Sequence, residues 1–555
     1  MSLLHPLVER VLLNRHIEDQ ELFLNPVYND RHDPFLLKDM DKAVARILTA
    51  IEQGETICIW HDYDCDGIPG GSLLFDFFHQ IEYPVLTYVP ERSEGYGLNE
   101  DGIKNIKKQG VSLIITVDCG ITDVAETACA KELGIDVIIT DHHLPQATLP
   151  DALAVINAHR HDDTYPFKGL CGTGTAFKLV EALIQKGDFD LTEGWEKWLL
   201  DLVAIATVAD MVPLTGENRA LVRYGLMVLH KGRRPGLVAL LEAEKIPQRT
   251  VTEDDIAFSI APKINAASRM KSPKLAFELL TTDSPERAKE LAKELVKLNK
   301  DRKLEGMRVA KEVKQKIELM SNLGDVIVMG HSSWRPSLLG IAATSVVETY
   351  QKTVCLWGKD GELIKGSCRS DGSVNIVTLM TEAKDAFLDF GGHEFSGGFS
   401  VLPEAIHELP SKLQNALQSI NDKLNLVEGL PAPLPEEGNI EGVITLSEVT
   451  DSAYEALRSL APFGQHNPKP IFRFTNVTVY AFTFFGAHKE HVRLTLTDLS
   501  GRQAQAVAFF VPRTPFKDTI ALMSAGDVCT VDACIERSYF AGRRELRLRL
   551  ENISV

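Results

Sequence analysis

The sequence predicts an α/β protein with a C-terminal all-β unit, and three patterns predict it. From about Ala43 to Tyr224, short apolar runs alternate with helical stretches, which indicates a parallel sheet covered on both faces. From Pro285 to Met320 the chain is charged and helix-forming, which reads as one long connecting helix with a solvated face. Beyond the Pro-rich break Leu430-Pro-Ala-Pro-Leu-Pro-Glu-Glu, several short alternating strands suggest a small barrel or sandwich. The expected layout is an N-terminal helical segment at 1–45, a large α/β domain at 46–230 and a helical region at 231–320 that contains the long helix. A smaller α/β domain at 321–430 and an all-β domain at 431–555 complete it.

The elements follow in order. The first domain offers strands at Thr56–Trp60, Val85–Val89, Leu113–Val117, Val137–Thr140 and Ala154–Ile156, each a short run of mostly apolar residues. Ala125–Leu133 and Gly174–Lys186 are helical stretches of the same domain. The second unit opens near Asp325 with the strand Val326–Met329 and continues into a helix at Leu338–Tyr350. The C-terminal strands are Ile471–Val479, His491–Leu496, Ala504–Phe510, Val528–Ile535 and Glu545–Ile553. In Arg543-Arg-Glu-Leu-Arg-Leu-Arg-Leu550 the period of two turns Leu546, Leu548 and Leu550 toward a core and Arg547 and Arg549 outward. Aromatics cluster nearby at Phe472, Phe474, Tyr480, Phe482, Phe484 and Phe485, most of them expected in the barrel core.

At 555 residues the chain exceeds one ordinary core, which implies two to four domains. Its 44% hydrophobic and 25% charged residues are those of a soluble globular protein. No apolar stretch is long enough to span a bilayer and no secretory signal is visible, so we expect a cytoplasmic protein without a membrane role. The nine cysteines lack close paired spacing and several lie in apolar runs, which suits buried, reduced thiols. A net charge of −18 argues mildly against a surface coated in nucleic acid. It leaves a nuclease open, because net charge is screened beyond about 10 Å and any DNA contact can come from a local basic groove.

The chemistry concentrates in the first domain. His61-Asp62-Tyr63-Asp64-Cys65-Asp66-Gly67 follows the first strand and crowds three carboxylates into five residues. Such crowding is costly unless a cation neutralises it. A calcium loop of the helix–loop–helix kind needs an acid at its twelfth position, and here Leu73 stands there after a strand. Asp118 follows the strand that ends at Val117, and Asp141-His142-His143 follow the strand that ends at Thr140. Asp210 ends the apolar run Ala206-Thr-Val-Ala and is grouped with them as a strand-end acid. In open parallel sheets such groups gather at the carboxyl ends of strands. Carboxylates with imidazole suit manganese or magnesium, and this many ligands fits two ions about 3.5–4 Å apart. The pattern points to metal-assisted hydrolysis of a phosphoester or phosphoanhydride.

These residues resemble the DHH phosphoesterase superfamily, whose triplet stands here as Asp141-His142-His143. Glu91-Arg-Ser-Glu-Gly-Tyr-Gly-Leu98, Ala261-Pro-Lys-Ile-Asn-Ala-Ala-Ser-Arg-Met270 and Ser333-Trp-Arg-Pro336 narrow the match to its RecJ family of single-strand exonucleases. So do Lys365-Gly-Ser-Cys-Arg-Ser370, Gly391-Gly-His-Glu-Phe-Ser-Gly-Gly398 and Pro462-Phe-Gly-Gln-His-Asn-Pro-Lys-Pro470, in the family's order over nearly the whole chain. Three positions depart from the usual pattern: Cys65, Ser337-Leu-Leu-Gly-Ile341 and Phe395-Ser396. None of them removes a ligand or a phosphate contact.

The resemblance implies a DHH domain, a long linking helix, a DHHA1 domain and a C-terminal OB-fold. It implies Asp62, Asp64, Asp66, Asp118, His142 and Asp210 as ligands of two Mn2+ or Mg2+ ions, with Asp118 bridging and Asp141 orienting the histidines. His143 would contact the scissile phosphate, Ser367 and Arg369 a terminal 5′-phosphate, and Arg92 and Arg269 backbone phosphates. Gly392 and His393 would meet phosphate in the glycine-histidine segment, and Arg547 and Arg549 DNA on the OB-fold. The implied activity is 5′→3′ exonuclease action on single-stranded DNA in repair and recombination, by a monomer. A helicase and a single-strand-binding protein are further partners the family allows. The rival readings are another DHH enzyme, such as an oligoribonuclease, a cyclic-dinucleotide phosphodiesterase or a pyrophosphatase, and an inactive single-strand-binding scaffold.

Overall fold

The structure is a computed structural model that describes residues 4–320, 323–426, 440–486, 489–538 and 544–555, apart from the side chains of 393 and 424–426. The expected boundary at 430/431 therefore lies outside the described residues. The chain divides into two units. One runs from Val27 to Asn425 and includes Gly464–His466; the other combines the residues up to Pro26 with those from 440 to 463 and from 467 to 555.

The larger unit opens with a five-stranded parallel sheet: β1 Thr56–His61, β2 Val85–Tyr88, β3 Val111–Val117, β4 Asp136–Thr140 and β5 Ala154–Ile156, in the order β2-β1-β3-β4-β5. β1 and β3 are buried along most of their length because helices cover both faces, as their unbroken apolar runs require. In this order the winding reverses between β1 and β3, and the crevice beyond the carboxyl ends of those two strands is where such sheets carry their sites. Asp62 follows one of these strands and Asp118 the other.

The connecting helix spans Pro285–Glu318, 34 residues and about 51 Å long. Its charges are solvated as expected, yet Leu291, Leu295, Val309, Val313 and Ile317 form a buried stripe at helical spacing. The second sheet, still in the larger unit, comprises β6 Val326–Gly330, β7 Thr353–Asp360, β8 Leu363–Arg369, β9 Asp389–His393 and β10 Ser396–Val401, ordered β6-β7-β8-β10-β9. The glycine-histidine segment forms the antiparallel pair β9–β10. Gly392 sits at φ +153°, and a β-carbon there would lie 2.3 Å from the Ser396 carbonyl oxygen, so the close pairing of these strands demands glycine.

The smaller unit is a barrel. β12 Ile471–Phe485, β13 His491–Thr497, β14 Gln503–Ala508, β16 Glu545–Ser554 and β15 Val528–Ser538 pair in that order, and β12 closes on β15. β11 Ile440–Val443 adds to the side of β12. Phe472, Phe474, Leu494, Leu496, Leu548 and Leu550 fill the interior. The helix Pro6–Asn14 puts Leu7, Val8, Val11 and Leu12 into this same core, and Arg15 pairs with Glu441 at 2.6 Å. The segment expected at 1–45 is thus split near Pro26: its first amphipathic helix buries its apolar face in the barrel unit.

All nine cysteines are free and eight are buried. Among the described residues no helix is long and apolar enough to cross a membrane.

Candidate metal centre and cationic cleft

Backbone hydrogen bonds continue the sheet past its strands and line up three carboxylates. The Asp62 amide donates to the Val117 carbonyl at 3.2 Å, Asp118 to Thr140 at 2.9 Å and Asp141 to Ile156 at 3.1 Å. Asp210 arrives differently. It caps the C-terminus of the helix Leu200–Ala209, which corrects its placement at a strand end. That helix is apolar on all sides and buried, and a short apolar run of this kind carries no period that separates helix from strand.

The side chains converge. The His142 Nε2 lies 3.2 Å from Asp118 Oδ1 and 3.6 Å from both Asp66 Oδ2 and Asp210 Oδ2. Three sets of ligand atoms each fit within 4.8 Å: Asp62, Asp64 and Asp118; Asp118, His142 and His143; Asp66, His142 and Asp210. Asp118 and His142 each belong to two sets, so the three sets form one continuous cluster. Asp118 holds φ +60°, a strained backbone for a residue with a β-carbon.

Local contacts fix these groups. Asp64 Oδ1 accepts from the Asp66 and Gly67 amides and tightens the loop. The Asp66 carboxylate accepts from the Gly172 and Thr173 amides at 2.6 and 2.7 Å, the N-terminus of the helix Gly172–Lys186. Asp141 accepts from the amides of Ile121, His142 and His143 and from the His143 ring at 2.8 Å, an orienting arrangement for the histidines. Two residues beyond the sequence reading join in. Tyr96 donates its hydroxyl to the Asp118 carbonyl at 2.8 Å and stands 3.2 Å from the His143 ring, and Asn157 donates to the His143 carbonyl at 2.8 Å. Tyr96 lies in the Glu91–Leu98 segment that sequence resemblance singled out; Asn157 carries no sequence signal.

Electrostatics say what the cluster lacks. Burial, and then the neighbouring carboxylates, push Asp62 and Asp118 well above the usual carboxylate range and Asp210 up to about 8. Burial disfavours the His143 cation, but the hydrogen bond and charge of Asp141 outweigh it and hold its pKa up at about 9. The same partnership keeps Asp141 below its ordinary value despite burial. Burial depresses His142, which favours the neutral imidazole that ligates metals. Among the described residues Asp62 Oδ1, Asp118 Oδ1 and His142 Nε2 are buried without a hydrogen-bond partner. Hard oxygen donors, a neutral imidazole and orphaned buried atoms that face one another fit divalent cations.

An open cleft of about 810 Å³ begins at Tyr63 and Tyr96, beside this cluster, and runs to the second sheet. Arg92, Arg269, Arg335, Lys359, Lys365 and Arg369 line it against the acids Asp360 and Asp389. Four expected phosphate contacts, Arg92, Arg269, Ser367 and Arg369, fall in this one cleft. Arg92 lies over the Tyr63 ring at 4.3 Å, and Arg269 is held down to about 10 by burial and by the charges of Arg92 and Arg302. The Arg369 guanidinium donates to Ser367 Oγ at 3.0 Å and to the Cys368 carbonyl at 2.7 Å. Gly391 and Gly398 line the cleft in the stretch where Gly392 was expected; Gly392 is occupied by strand pairing, and the His393 side chain lies outside the described residues.

On the barrel, Arg547 and Arg549 stack over Phe509 at 5.5 and 4.6 Å, and Arg547 also pairs with Glu536 at 2.6 Å. Arg493 lies over Phe485 and Arg513 over Phe510, so guanidinium–aromatic stacks recur in this unit. Phe472 and Phe474 are core, whereas Tyr480 is 64% exposed.

Residues 56–207 match the DHH family, N-terminal domain; residues 323–425 match the DHHA1 domain; and residues 440–552 match the RecJ OB domain. The chain is 36% identical over 513 residues to the single-stranded-DNA-specific exonuclease RecJ of Bacillus subtilis, covering 91% of this chain and 63% of that one. The RecJ of Haemophilus influenzae is 30% identical over 99% of this chain and 96% of its own, and that of Escherichia coli 33% identical over 79% and 78%. The crystal structure of Thermus thermophilus RecJ in complex with Mn2+ superposes with a TM-score of 0.79 at 25% identity, over 100% of this chain and 76% of that one. A manganese-bound exonuclease RecJ superposes at 0.60 with 30% identity, over 73% and 98%.

Proposed function

Because this chain belongs to the RecJ family of single-stranded-DNA-specific exonucleases, we propose that it hydrolyses phosphodiester bonds stepwise from the 5′ end of single-stranded DNA and releases 5′-mononucleotides. The observation that carries this reading is a carboxylate–imidazole cluster with three orphaned buried atoms, beside a cleft rich in arginine and lysine.

Asp62, Asp64, Asp66, Asp118, His142 and Asp210 would hold two divalent ions, Mn2+ or Mg2+, with Asp118 between them and Asp141 fixing the histidines. When bound, the ions lower the pKa of a water and offset charge on the phosphoryl oxygens. His143, whose protonated form Asp141 favours, would donate to a phosphate oxygen. Arg92 and Arg269 neutralise backbone phosphates along the cleft, and Ser367 and Arg369 receive the 5′-phosphate. Direction of cutting then follows from the distance between that end pocket and the cluster, and a cleft that admits one strand excludes a duplex. The barrel, through its guanidinium–aromatic stacks, would bind single-stranded DNA as well. Repair and recombination of DNA by a monomer in the cytoplasm is the setting this reading implies.

Incubation of the full chain and Mn2+ with a 40-mer labelled at either end tests the proposal. Labelled mononucleotide is expected early from the 5′ label and late from the 3′ label, and not from the matching duplex. Early release from the 3′ end, or equal cutting of the duplex, contradicts it.

Two further results are expected. Asp210 titrates at about 8 when folded and near 3.8 when unfolded. As pH rises from about 4 to 8 the unfolded chain releases a proton that the folded chain retains, so this group's contribution to stability falls across that window. Bound cations relieve that repulsion, so the rise in Tm on adding Mn2+ to chelator-treated protein should be larger at pH 8 than at pH 6. Replacement of Arg369 by Ala should cut kcat/KM on 5′-phosphorylated substrate by about 10- to 100-fold, the worth of charge-assisted hydrogen bonds. The same change should remove the preference for 5′-phosphoryl over 5′-hydroxyl ends; an undiminished preference rules out this pocket.

A further inference from the structure

We infer that Met211 is a substrate-contact residue: with Leu144 nearby, it packs against the base of a nucleotide flanking the scissile phosphate. This rests on the function proposed above and adds a base contact to it. Met211 directly follows Asp210 and Leu144 directly follows His143 in the chain. The Asp210 carboxylate and the His142 ring are 3.6 Å apart, so both apolar side chains start at the rim of the same cluster.

Two independent features set Met211 apart. It is 69% exposed, and Leu144 is 75% exposed, so neither side chain gains much from burial. Met211 also holds φ +59°, one step past the cap of the helix Leu200–Ala209. Chains usually place glycine at that position, because a β-carbon in the left-handed region is strained. A large apolar residue is therefore kept where the backbone disfavours it and where packing gives little in return.

The chemistry of the place accounts for it. The cleft is lined by guanidinium, ammonium and aromatic groups, Tyr63 and Tyr96 among them, and the cluster offers carboxylates to cations; Met211 and Leu144 add exposed aliphatic surface beside the cluster itself. A flexible, polarisable thioether packs on the face of any base without reading its hydrogen-bonding edge. That suits an exonuclease that must accept each base in turn.

Glycine at 211 separates this role from a structural one, since relief of backbone strain should raise Tm or leave it unchanged. With the full chain, Mn2+ and 5′-phosphorylated single strands, Met211→Gly should lower kcat/KM about five- to tenfold without lowering Tm. Met211→Leu should stay within twofold of the parent. On strands made abasic at the two 5′-terminal nucleotides, parent and Met211→Gly should cut alike. The inference is overturned if Met211→Gly cuts intact strands within twofold of the parent, if its loss persists on abasic strands, or if Met211→Leu does not restore activity. A parent enzyme that leaves single-stranded DNA intact would instead defeat the functional reading beneath it.

Discussion

Asp118→Ala is expected to lower kcat on single-stranded DNA by at least about a thousandfold, several kcal/mol of transition-state stabilisation. The residue belongs to two of the three ligand sets, so its loss disrupts both halves of the cluster. The fold should tolerate the change. Asp118 is buried, crowded by four carboxylates and pushed well above its ordinary pKa, so the metal-free protein carries it at a cost. Metal-free Asp118→Ala should therefore melt at or above the parent's temperature at pH 8, while Mn2+ no longer raises its Tm. Hydrolysis near the parental rate, or an undiminished Mn2+ effect, would remove Asp118 from the centre of the site.

Gly172→Ala should act on the same cluster from the second layer. A β-carbon at 172 would lie 2.5 Å from the Asp118 β-carbon and 2.8 Å from its α-carbon, and backbone cannot step aside as a flexible side chain can. The Gly172 amide also donates to Asp66 at 2.6 Å, so one methyl group displaces two ligands. Overpacking of this kind costs about 1–3 kcal/mol, and a shift of about 1 Å at a reacting centre costs on the order of a hundredfold in rate. Loss of activity together with weaker Mn2+ stabilisation is the expected pair of readouts; unchanged kinetics would mean that the helix relaxes freely.

Strands were the most legible part of the chain. β1, β3, β4 and β5 lie within two residues of where apolar runs put them, because a sheet covered on both faces leaves nothing else in the run. Charge crowding exposed Asp62, Asp64 and Asp66 as a group, and the strand-end acids Asp118 and Asp141 joined them through sheet order. Asp210 was found for its charge but placed on the wrong kind of element, since a helix buried all round loses its periodic signature. The roles of Tyr96 and Asn157 went unnoticed for another reason: their contacts to Asp118 and His143 are ones that only tertiary structure creates. Phe509 was hidden because its partner Arg549 comes from a distant strand of the barrel unit, whereas the Phe510–Arg513 stack is a local contact three residues apart. Gly391 and Gly398, rather than Gly392, reach the cleft because alternate residues of a strand point to opposite faces.

The opening helix has a bearing on biosynthesis. Apart from neighbours such as Leu24, the core that Leu7, Val8, Val11 and Leu12 join is built from residues 444–553, the barrel strands of Leu548 and Leu550 included. At roughly 5–20 residues per second, a ribosome needs about half a minute to two minutes to deliver those strands after the helix emerges. Throughout that interval the greasy face has no native shelter, which makes the nascent helix a natural customer for chaperones.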